Sequence, residues 1–407
     1  MVRLPMLKVL HVITGLNQGG AERALMRLML HEDKSRFSSE AFSLIGDGLV
    51  ARQMREQGLR TLNCGPRRGG LSATLMSLIA HCLRSRPDVV QGWMYHGNLA
   101  ATLAATAACV PLHGWNVRCS PSERLEEKLG TRLAVSLGAR LSHLPTWIIH
   151  NSYRGEAQHR ARGYSPTRAT VIPNGFDCEA LRPDDALRTS LRNRHDVSAQ
   201  ALVVGMMARH HAQKDYPGFI RAAARIAAQF PTVCFIAMGR GVDWSNDALR
   251  MQIEELGLRH RFRLLGDVPD GGRCATMFDV NVLSSAFGEG FPNAIAEGMA
   301  CGVPCVATDV GDTAWIIGDT GRVVPSSNPV ALGSAVSDLL GRTREEREKL
   351  GALARARVLR EFSMTKNVSN YAALFDAGYS SRGRTVEMAD TISNSPQQPA
   401  TQTGSRG

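Results

Sequence analysis

The sequence predicts an α/β protein with two Rossmann-like parallel-sheet domains that face each other across a cleft. Short β-branched runs alternate with longer helical patterns, which is typical of parallel α/β layers. The runs form two series of about six, separated by a Pro-Asn-Gly turn at residues 173–175. With 407 residues and 43% hydrophobic content, the chain is long enough to bury two cores.

The two series set the predicted domain limits, residues 1–172 and residues 173–363. The strands predicted in the first domain are 8–14, 40–45, 88–92, 114–118, 147–150 and 170–172, and those in the second are 202–208, 233–238, 262–265, 280–283, 304–307 and 321–324. The charged run 342–375 predicts one or two long helices. From about Ser380 the composition turns to Ser, Gln, Thr, Gly and Pro, so residues 380–407 are predicted to be a disordered tail.

The positive charge of the chain is confined to its first part. Residues 1–168 hold 22 Lys and Arg against 11 Asp and Glu, and the remainder holds 26 of each. This imbalance suggests an acidic partner surface, namely anionic lipid, nucleic acid or a phosphorylated substrate, with a generic Arg-rich composition as the alternative. The apolar segment 71–83, bracketed by arginines at 67, 68, 84 and 86, fits either an ordinary core helix, which is favoured, or a helix resting on an anionic bilayer.

Membrane and redox signals are weak. The apolar start of the chain is too short for a signal-peptide core, and the run 99–112 is too short to span a membrane. The nine cysteines have no paired spacing and are expected to be free thiols in a reducing compartment. We therefore expect a cytoplasmic protein whose membrane contact, if there is one, is peripheral.

The most informative motif holds two acids eight residues apart, Glu289 and Glu297. Glu289 lies in a glycine turn, and Pro292 favours the first turn of a helix that places Glu297 about a turn and a half further on. The backbone between them, which offers free N–H groups at a helix start, is Gly290, Phe291, Pro292 and Asn293. A sugar, a diphosphate and a ribose fit this spacing. Two other interpretations are a glycosidase pair of carboxylates and a plain helix with exposed acids.

Two further motifs follow the first strand of each domain. Arg209 and Lys214 would emerge at the carboxyl edge of the second sheet, where they could neutralise a leaving diphosphate, although a solvated charged loop would look the same. Gly19 and Gly20 form a turn that lets the backbone approach a ligand at a helix start, or a tight turn with no ligand. His210 and His211 lack the spacing of a metal site and are interpreted as loop residues.

His96 and Arg118 each follow a strand of the first domain. They are therefore expected to point into the cleft, although a histidine satisfied within the core is the commoner outcome for a lone His.

The order of these motifs resembles that of the retaining, nucleotide-sugar-dependent glycosyltransferases of family 4, which have the GT-B fold. The resemblance covers roughly residues 7–376 and rests on the segments 19–23, 171–177, 209–214 and 289–311. It implies that Arg209 and Lys214 grip the diphosphate, Glu289 binds hexose hydroxyls and Glu297 binds the ribose. The backbone of residues 290–293 would bind sugar and phosphate, while Gly19 and Gly20 would close over the diphosphate. It also implies that no metal or other cofactor is needed, and that a helix at about 364–379 packs back on the first domain.

Two positions depart from the pattern. Many relatives carry a His-Thr pair where this chain has Arg118 and Cys119, which leaves open whether His96 or Arg118 is the key polar residue of the first domain. Asp215 replaces a frequent glycine, as in relatives that work on surface polysaccharides.

The expected function is transfer of a hexose-like unit to a glycan or lipid-linked acceptor, in cell-surface polysaccharide or lipopolysaccharide assembly. The expected partners are the nucleotide sugar and this acceptor, and not nucleic acid. The alternatives are a nucleotide-sugar 2-epimerase of the same fold and a non-catalytic donor-binding subunit.

Overall fold

The computed structural model contains two parallel β-sheets of seven and six strands, each with helices on both faces. It describes residues 5–17, 19–63, 70–119 and 129–393. Parts of the sequence motifs therefore lie outside the described residues, namely residue 18 of the first glycine turn, the arginine pair at 67 and 68, residue 120 after Arg118, and the end of the tail from residue 394.

The first sheet has the strand order β3-β2-β1-β4-β5-β6-β7. Its strands are β1 (Leu7–Ile13), β2 (Phe37–Ser43), β3 (Arg60–Asn63), β4 (Val89–Trp93), β5 (Leu112–Val117), β6 (Trp147–His150) and β7 (Ala169–Val171). All pairs are parallel, with His11 of β1 opposite Ala41 on one side and Gln91 on the other. Central strands covered on both faces read as continuous apolar runs, which is why β1 and β4 are almost wholly buried.

Six helices connect these strands. They are α1 (Gly20–His31), α2 (Leu49–Glu56), α3 (Gly70–Ser85), α4 (Met94–Ala107), α5 (Leu129–Leu141) and α6 (Tyr153–Ala161). Helix α1 packs against α2 on one face of the sheet, while α4 contacts both α3 and α5 on the other. Helices α3, α4 and α5 thus form one continuous layer.

The second sheet has the order β10-β9-β8-β11-β12-β13. Its strands are β8 (Val203–Met207), β9 (Cys234–Met238), β10 (Phe262–Leu264), β11 (Val280–Leu283), β12 (Cys305–Thr308) and β13 (Arg322–Val324). Its helices are α7 (Asp185–Arg194), α8 (Tyr216–Gln229), α9 (Asp247–Glu255), α10 (Asn293–Ala300), α11 (Thr313–Ile317), α12 (Pro329–Leu340) and α13 (Arg344–Glu361). The strand order reverses between β8 and β11, and open α/β sheets bind ligands at the carboxyl ends of such a pair.

The last helix, α14 (Met364–Ser393), returns to the first sheet. The chain crosses between the domains twice side by side, with Phe176 and Ser363 paired as an isolated parallel bridge. Helix α14 then packs on α1 and buries Tyr371 and Phe375 in the core of the first domain.

The prediction of a disordered tail was wrong for residues 380–393, because these residues are helical. The Ser and Gly residues near 380 lower helix propensity only weakly, and residues 382–391 include the good helix formers Arg, Glu, Met and Ala.

The cysteines and the apolarity of the helices bear on the expected compartment. The eight cysteines among the described residues are all free. Among the same residues, no helix is both long enough and apolar enough to span a bilayer.

Candidate active site

The loops after β8 and β11 bring Lys214 and Glu289 together. The Nζ of Lys214 donates to Oε1 of Glu289 at 2.5 Å, and the Ser285 hydroxyl donates to the same oxygen at 2.5 Å. Glu289 is 7% exposed, so this ion pair is largely buried. Charge-assisted hydrogen bonds of this kind are the strong ones, and they fix the carboxylate.

Asp215 holds the backbone that carries Lys214. It adopts a left-handed conformation with φ of 45°, and its side chain caps α8 by accepting from the backbone N–H of Gly218 at 2.9 Å. Asp tolerates this conformation better than most residues do, because its short side chain bonds locally. This explains how the chain forms this loop without a glycine at position 215.

Arg209 is exposed and lies on the same loop as Lys214. Its Nη2 donates to Oε1 of Gln213 at 3.5 Å, and the amide nitrogen of Gln213 donates to the carbonyl of Gly288 at 2.8 Å. His211 uses Nδ1 to accept from the backbone of Gln213. In the part of the chain that the structure describes, no cluster of three or more His, Cys, Asp or Glu is placed to hold a metal ion.

The β11–α10 loop, residues 284–292, is held from below. The carbonyl of Gly290 accepts from the backbone N–H of Asp312 at 3.0 Å. A Cβ at Gly311 would lie 2.6 Å from the carbonyl oxygen of Glu289, so this approach requires glycine. Phe291 is buried against Phe362 at a ring separation of 5.3 Å, which leaves its backbone as the only part free to meet a ligand.

Helix α10 begins one residue later than the sequence suggested. Pro292 occupies the N-cap position, and Asn293 is the first helical residue. Glu297 is the fifth residue of the helix, about a turn and a half inside it as predicted.

Glu297 is half-buried and faces α1 of the first domain. Burial raises the pKa of its carboxyl, and the positive charges of Arg27 and Arg23 on α1 act in the opposite direction. Burial lowers the pKa of the Arg27 guanidinium, and the charge of Glu297 opposes this shift. The Nε of Arg27 is buried without a hydrogen-bond partner. Sequence reasoning did not select Arg27; its spacing of four from Arg23 was the available signal.

Gly19 and Gly20 place the start of α1 opposite the start of α10. A Cβ on Gly20 would lie 4.0 Å from Nδ2 of Asn293. Gly19 is the N-cap of α1, in an extended conformation. Each helix start carries free N–H groups and the positive end of a helix dipole. Two such ends facing each other form a site suited to an anion, and to a diphosphate in particular.

Arg118 lies at the junction of the domains. It stacks over Trp93 with its Cζ 5.3 Å from the ring centroid, and it donates to Tyr371 Oη at 3.3 Å and to the side-chain oxygen of Asn174. The Nδ2 of Asn174 in turn donates to Oδ1 of Asn293 at 2.5 Å. Arg118 is thus connected through Asn174 to the first residue of α10. Asn174 was part of a recognised turn, but nothing in the sequence marked this bridging contact.

His96 is exposed on the first turn of α4. Among the hydrogen bonds and ion pairs of the described residues, it has none with the other predicted site residues. The structure therefore joins Lys214 to Glu289 directly and Arg118 to Asn293 through Asn174. The role predicted for His96 stays a prediction.

A second interdomain contact joins α6 to the turn between β12 and α11, and this turn is bonded in turn to the β11–α10 loop. The carboxylate of Asp312 accepts from the backbone N–H groups of Tyr153 at 2.6 Å and Arg154 at 2.8 Å. The Ser152 hydroxyl accepts from the N–H of Gly155 at 2.9 Å. The start of α6 is therefore capped by one residue of its own domain and one of the other. Tyr153 also packs edge-on against Trp315 at 4.9 Å.

Comparison with known proteins identifies the class. Residues 18–180 match the sequence model of Glycosyltransferase Family 4, and residues 199–342 match that of Glycosyl transferases group 1. EpsF of Bacillus subtilis, named as a glycosyltransferase, is 24% identical over 74% of this chain and 79% of its own length. The Vi polysaccharide biosynthesis protein VipC/TviE of Salmonella typhi is 26% identical over 63% of this chain, which spans 45% of that protein.

The fold also matches solved structures. The crystal structure of Anabaena HepE in complex with UDP superposes with a TM-score of 0.79 at 21% identity, covering 91% of this chain and all of that one. A second structure of HepE contains UDP-glucose.

The two parallel sheets match the GT-B fold of these structures. The chain belongs to the group 1 and family 4 glycosyltransferases, whose two domain models together account for most of its length.

Proposed function

We propose that this glycosyltransferase moves a hexose-like sugar, with retention of anomeric configuration, from a nucleotide-diphosphate sugar to a glycan or lipid-linked acceptor in cell-surface polysaccharide assembly. The observation that carries the proposal is the pairing of Lys214 with Glu289 beside the two facing helix starts. This arrangement offers a fixed cation, a carboxylate and free N–H groups in one crevice.

The donor lies across that crevice. Its diphosphate occupies the space between the starts of α1 and α10 and takes positive charge from Lys214 and Arg209. Charge that grows on the leaving diphosphate is stabilised by groups already in place, which lowers the barrier. Glu289 accepts hydrogen bonds from sugar hydroxyls at one end, and Glu297 from the ribose at the other. The UDP and UDP-glucose complexes of HepE support a nucleotide sugar as donor.

No metal is required in this proposal. Arg209, Lys214 and two helix starts supply the positive charge near the diphosphate, so transfer is expected to be unchanged in EDTA. A strict dependence on added Mg²⁺ or Mn²⁺ would contradict this part.

Retention follows if the acceptor attacks from the face that the diphosphate leaves. In this proposal the acceptor binds on the side of the first domain, whose excess of Lys and Arg suits an anionic or lipid-linked molecule. The likeness to the Vi polysaccharide biosynthesis protein supports a role in polysaccharide assembly.

The first test is a panel of UDP-, GDP- and ADP-sugars. One of them should raise the melting temperature, because a ligand that binds only the folded state stabilises it by mass action. The same donor should be hydrolysed slowly alone and transferred in the presence of membrane-extracted acceptors. NMR of the product should show the anomeric configuration of the donor. An inverted product would refute retention, and no response to any donor would refute the proposal as a whole.

A further inference from the structure

The layer of helices α3, α4 and α5 exposes an unusual amount of apolar surface. Eight of the large hydrophobic side chains that the described residues expose lie on these helices and the turn after α5. They are Leu71, Met76, Leu83, Leu103, Leu129, Leu133, Leu137 and Leu144. Contiguous exposed apolar surface marks an interaction site, whereas scattered single residues do not.

Helix α5 shows the pattern best. Leu129, Leu133 and Leu137 recur every four residues and are 74%, 70% and 46% exposed. Residues four apart lie on the same side of a helix, so the three form a stripe. The opposite side of the helix is already used, since Ala134 and Val135 are buried in the core of the first domain. The stripe is therefore additional to what the fold needs.

The charge of the same layer has one sign. Helices α3, α4 and α5 contain no Asp or Glu. Arg132 and Arg140 are exposed beside the leucine stripe, and Arg84 is exposed at the end of α3. None of the three forms an ion pair with a described residue. The segment 120–128, which contains three glutamates, lies outside the described residues.

We propose that this layer, the α3–α5 face, docks on a lipid bilayer that contains anionic headgroups. Leucines that enter the interface, with arginines alongside them, are the two signals that together give stable peripheral binding. A second copy of the chain fits less well, because a symmetric contact would set arginines against arginines, and the described helices α3, α4 and α5 contain no acid to pair with them.

The orientation of the layer suits this role. In a parallel sheet, each of these helices begins at the carboxyl edge of the strands, which is the edge that borders the cleft. The first residues of α3 and α5, with Leu71 and Leu129, therefore lie at the end of the face nearest the site. A bilayer held there would present a membrane-bound acceptor to the cleft.

The test is co-sedimentation of the full chain with vesicles. Vesicles of phosphatidylcholine with phosphatidylglycerol should bind the protein, and vesicles of phosphatidylcholine alone should bind it at least about tenfold more weakly. The variant Leu133→Glu with Leu137→Glu should lose about tenfold or more in partitioning. The exposed leucine of α13 provides the control, since Leu353→Glu places the same charge on the other domain and should bind as the wild type does.

A second pair of substitutions separates the contribution of charge to vesicle binding from that of apolar burial. Arg132→Ala with Arg140→Ala should weaken binding to anionic vesicles and make it less sensitive to salt, because fewer charges face the lipid. Thermal melts check that each variant folds, and Leu133→Ser with Leu137→Ser replaces the glutamate pair if that pair does not.

Three results would overturn the proposal. The first is that the wild type binds vesicles equally well with and without phosphatidylglycerol, and the second is that both the Glu and the Ser variants bind as the wild type does. The third is that light scattering shows a dimer of the wild type which the same substitutions convert to a monomer. The outcome is independent of the proposed function, since donor-induced stabilisation of the Leu133 and Leu137 variants reports on the donor site alone.

Discussion

At the scale of single residues, the ion pair between Lys214 and Glu289 is the centre of the site. Both side chains are largely buried, with exposures of 16% and 8%, and Ser285 adds a third member. Breaking such a pair leaves a charge without its partner in a place where water is scarce. Function and local stability are therefore expected to change together there.

We predict that Lys214→Ala and Glu289→Ala each lower kcat/KM by about 10²–10³, because each removes a preorganised charge contact. The measurement is transfer from the donor identified by the panel. The control is Lys349→Ala, which breaks an exposed ion pair with Glu345 and should leave the rate unchanged. A wild-type rate in either site variant would contradict the mechanism.

Glu297 gives a prediction in pH. Burial raises the pKa of its carboxyl above the usual value of about 4.3. Between the pKa of the unfolded chain and the higher pKa of the folded protein, the folded protein holds a proton that the unfolded chain has released. The stability contributed by this group therefore falls as pH rises through this range.

We therefore expect Glu297→Gln to melt above the wild type at pH 7.5, with the difference shrinking towards pH 4. At the same time its KM for the donor should rise, since the amide binds ribose hydroxyls less strongly than the carboxylate does. Melting curves from pH 4 to 8 measure the first effect. A difference that does not depend on pH would show that burial does not control the titration of Glu297.

At the scale of elements, the sequence predicted twelve of the thirteen described strands, with limits within about three residues. Long β-branched runs that are buried on both faces are easily recognised. The strand that was missed, β3, is the short, polar segment Arg60–Asn63 at the sheet edge, and it depends on β2 for its pairing. Periodicity within four residues cannot reveal such a strand.

The candidate site also divides into residues that a local sequence pattern reveals and residues that only the fold reveals. Glu289, Glu297, Lys214 and Arg209 could be selected from the sequence because each belongs to a local motif. Asp312 and Asn174 act across the domain boundary, and partners more than a hundred residues away leave no local pattern. Their roles required the folded chain.

Helix α14 provides a prediction at this scale. Phe375 is 4% exposed and packs against Phe37 and Trp147 of the first domain. Phe375→Ala should lower the free energy of unfolding of that domain by about 3–5 kcal/mol, the usual cost of such a cavity. Urea denaturation followed by tryptophan fluorescence measures this. Leu359→Ala on the exposed side of α13 should cost far less, and equal losses would mean that α14 does not complete the first core.

At the scale of the whole molecule, two of the hydrogen-bond networks that cross between the domains end on the β11–α10 loop or on the first residue of α10. Arg118 reaches Asn293 through Asn174, and the start of α6 reaches Gly290 through Asp312. A change in the distance between the domains is therefore expected to move this loop.

We predict that Asp312→Ala lowers the free energy of unfolding by about 1–2 kcal/mol, as loss of a helix cap does. It should also raise the KM for the donor and increase the radius of gyration seen by small-angle X-ray scattering. Asp338→Ala, which removes an exposed carboxylate bonded to Arg322, is the matched control. An unchanged radius and KM would show that this contact does not hold the domains together.

The shared cap of α6 also limits how such enzymes can be recombined. Ser152 and Asp312 supply acceptors to three consecutive N–H groups from opposite halves of the chain. A chimera that grafts a donor half from another glycosyltransferase must bring an acceptor at position 312, or the first turn of α6 loses two of its three partners. A graft meant to change donor specificity therefore has to keep the carboxylate of Asp312.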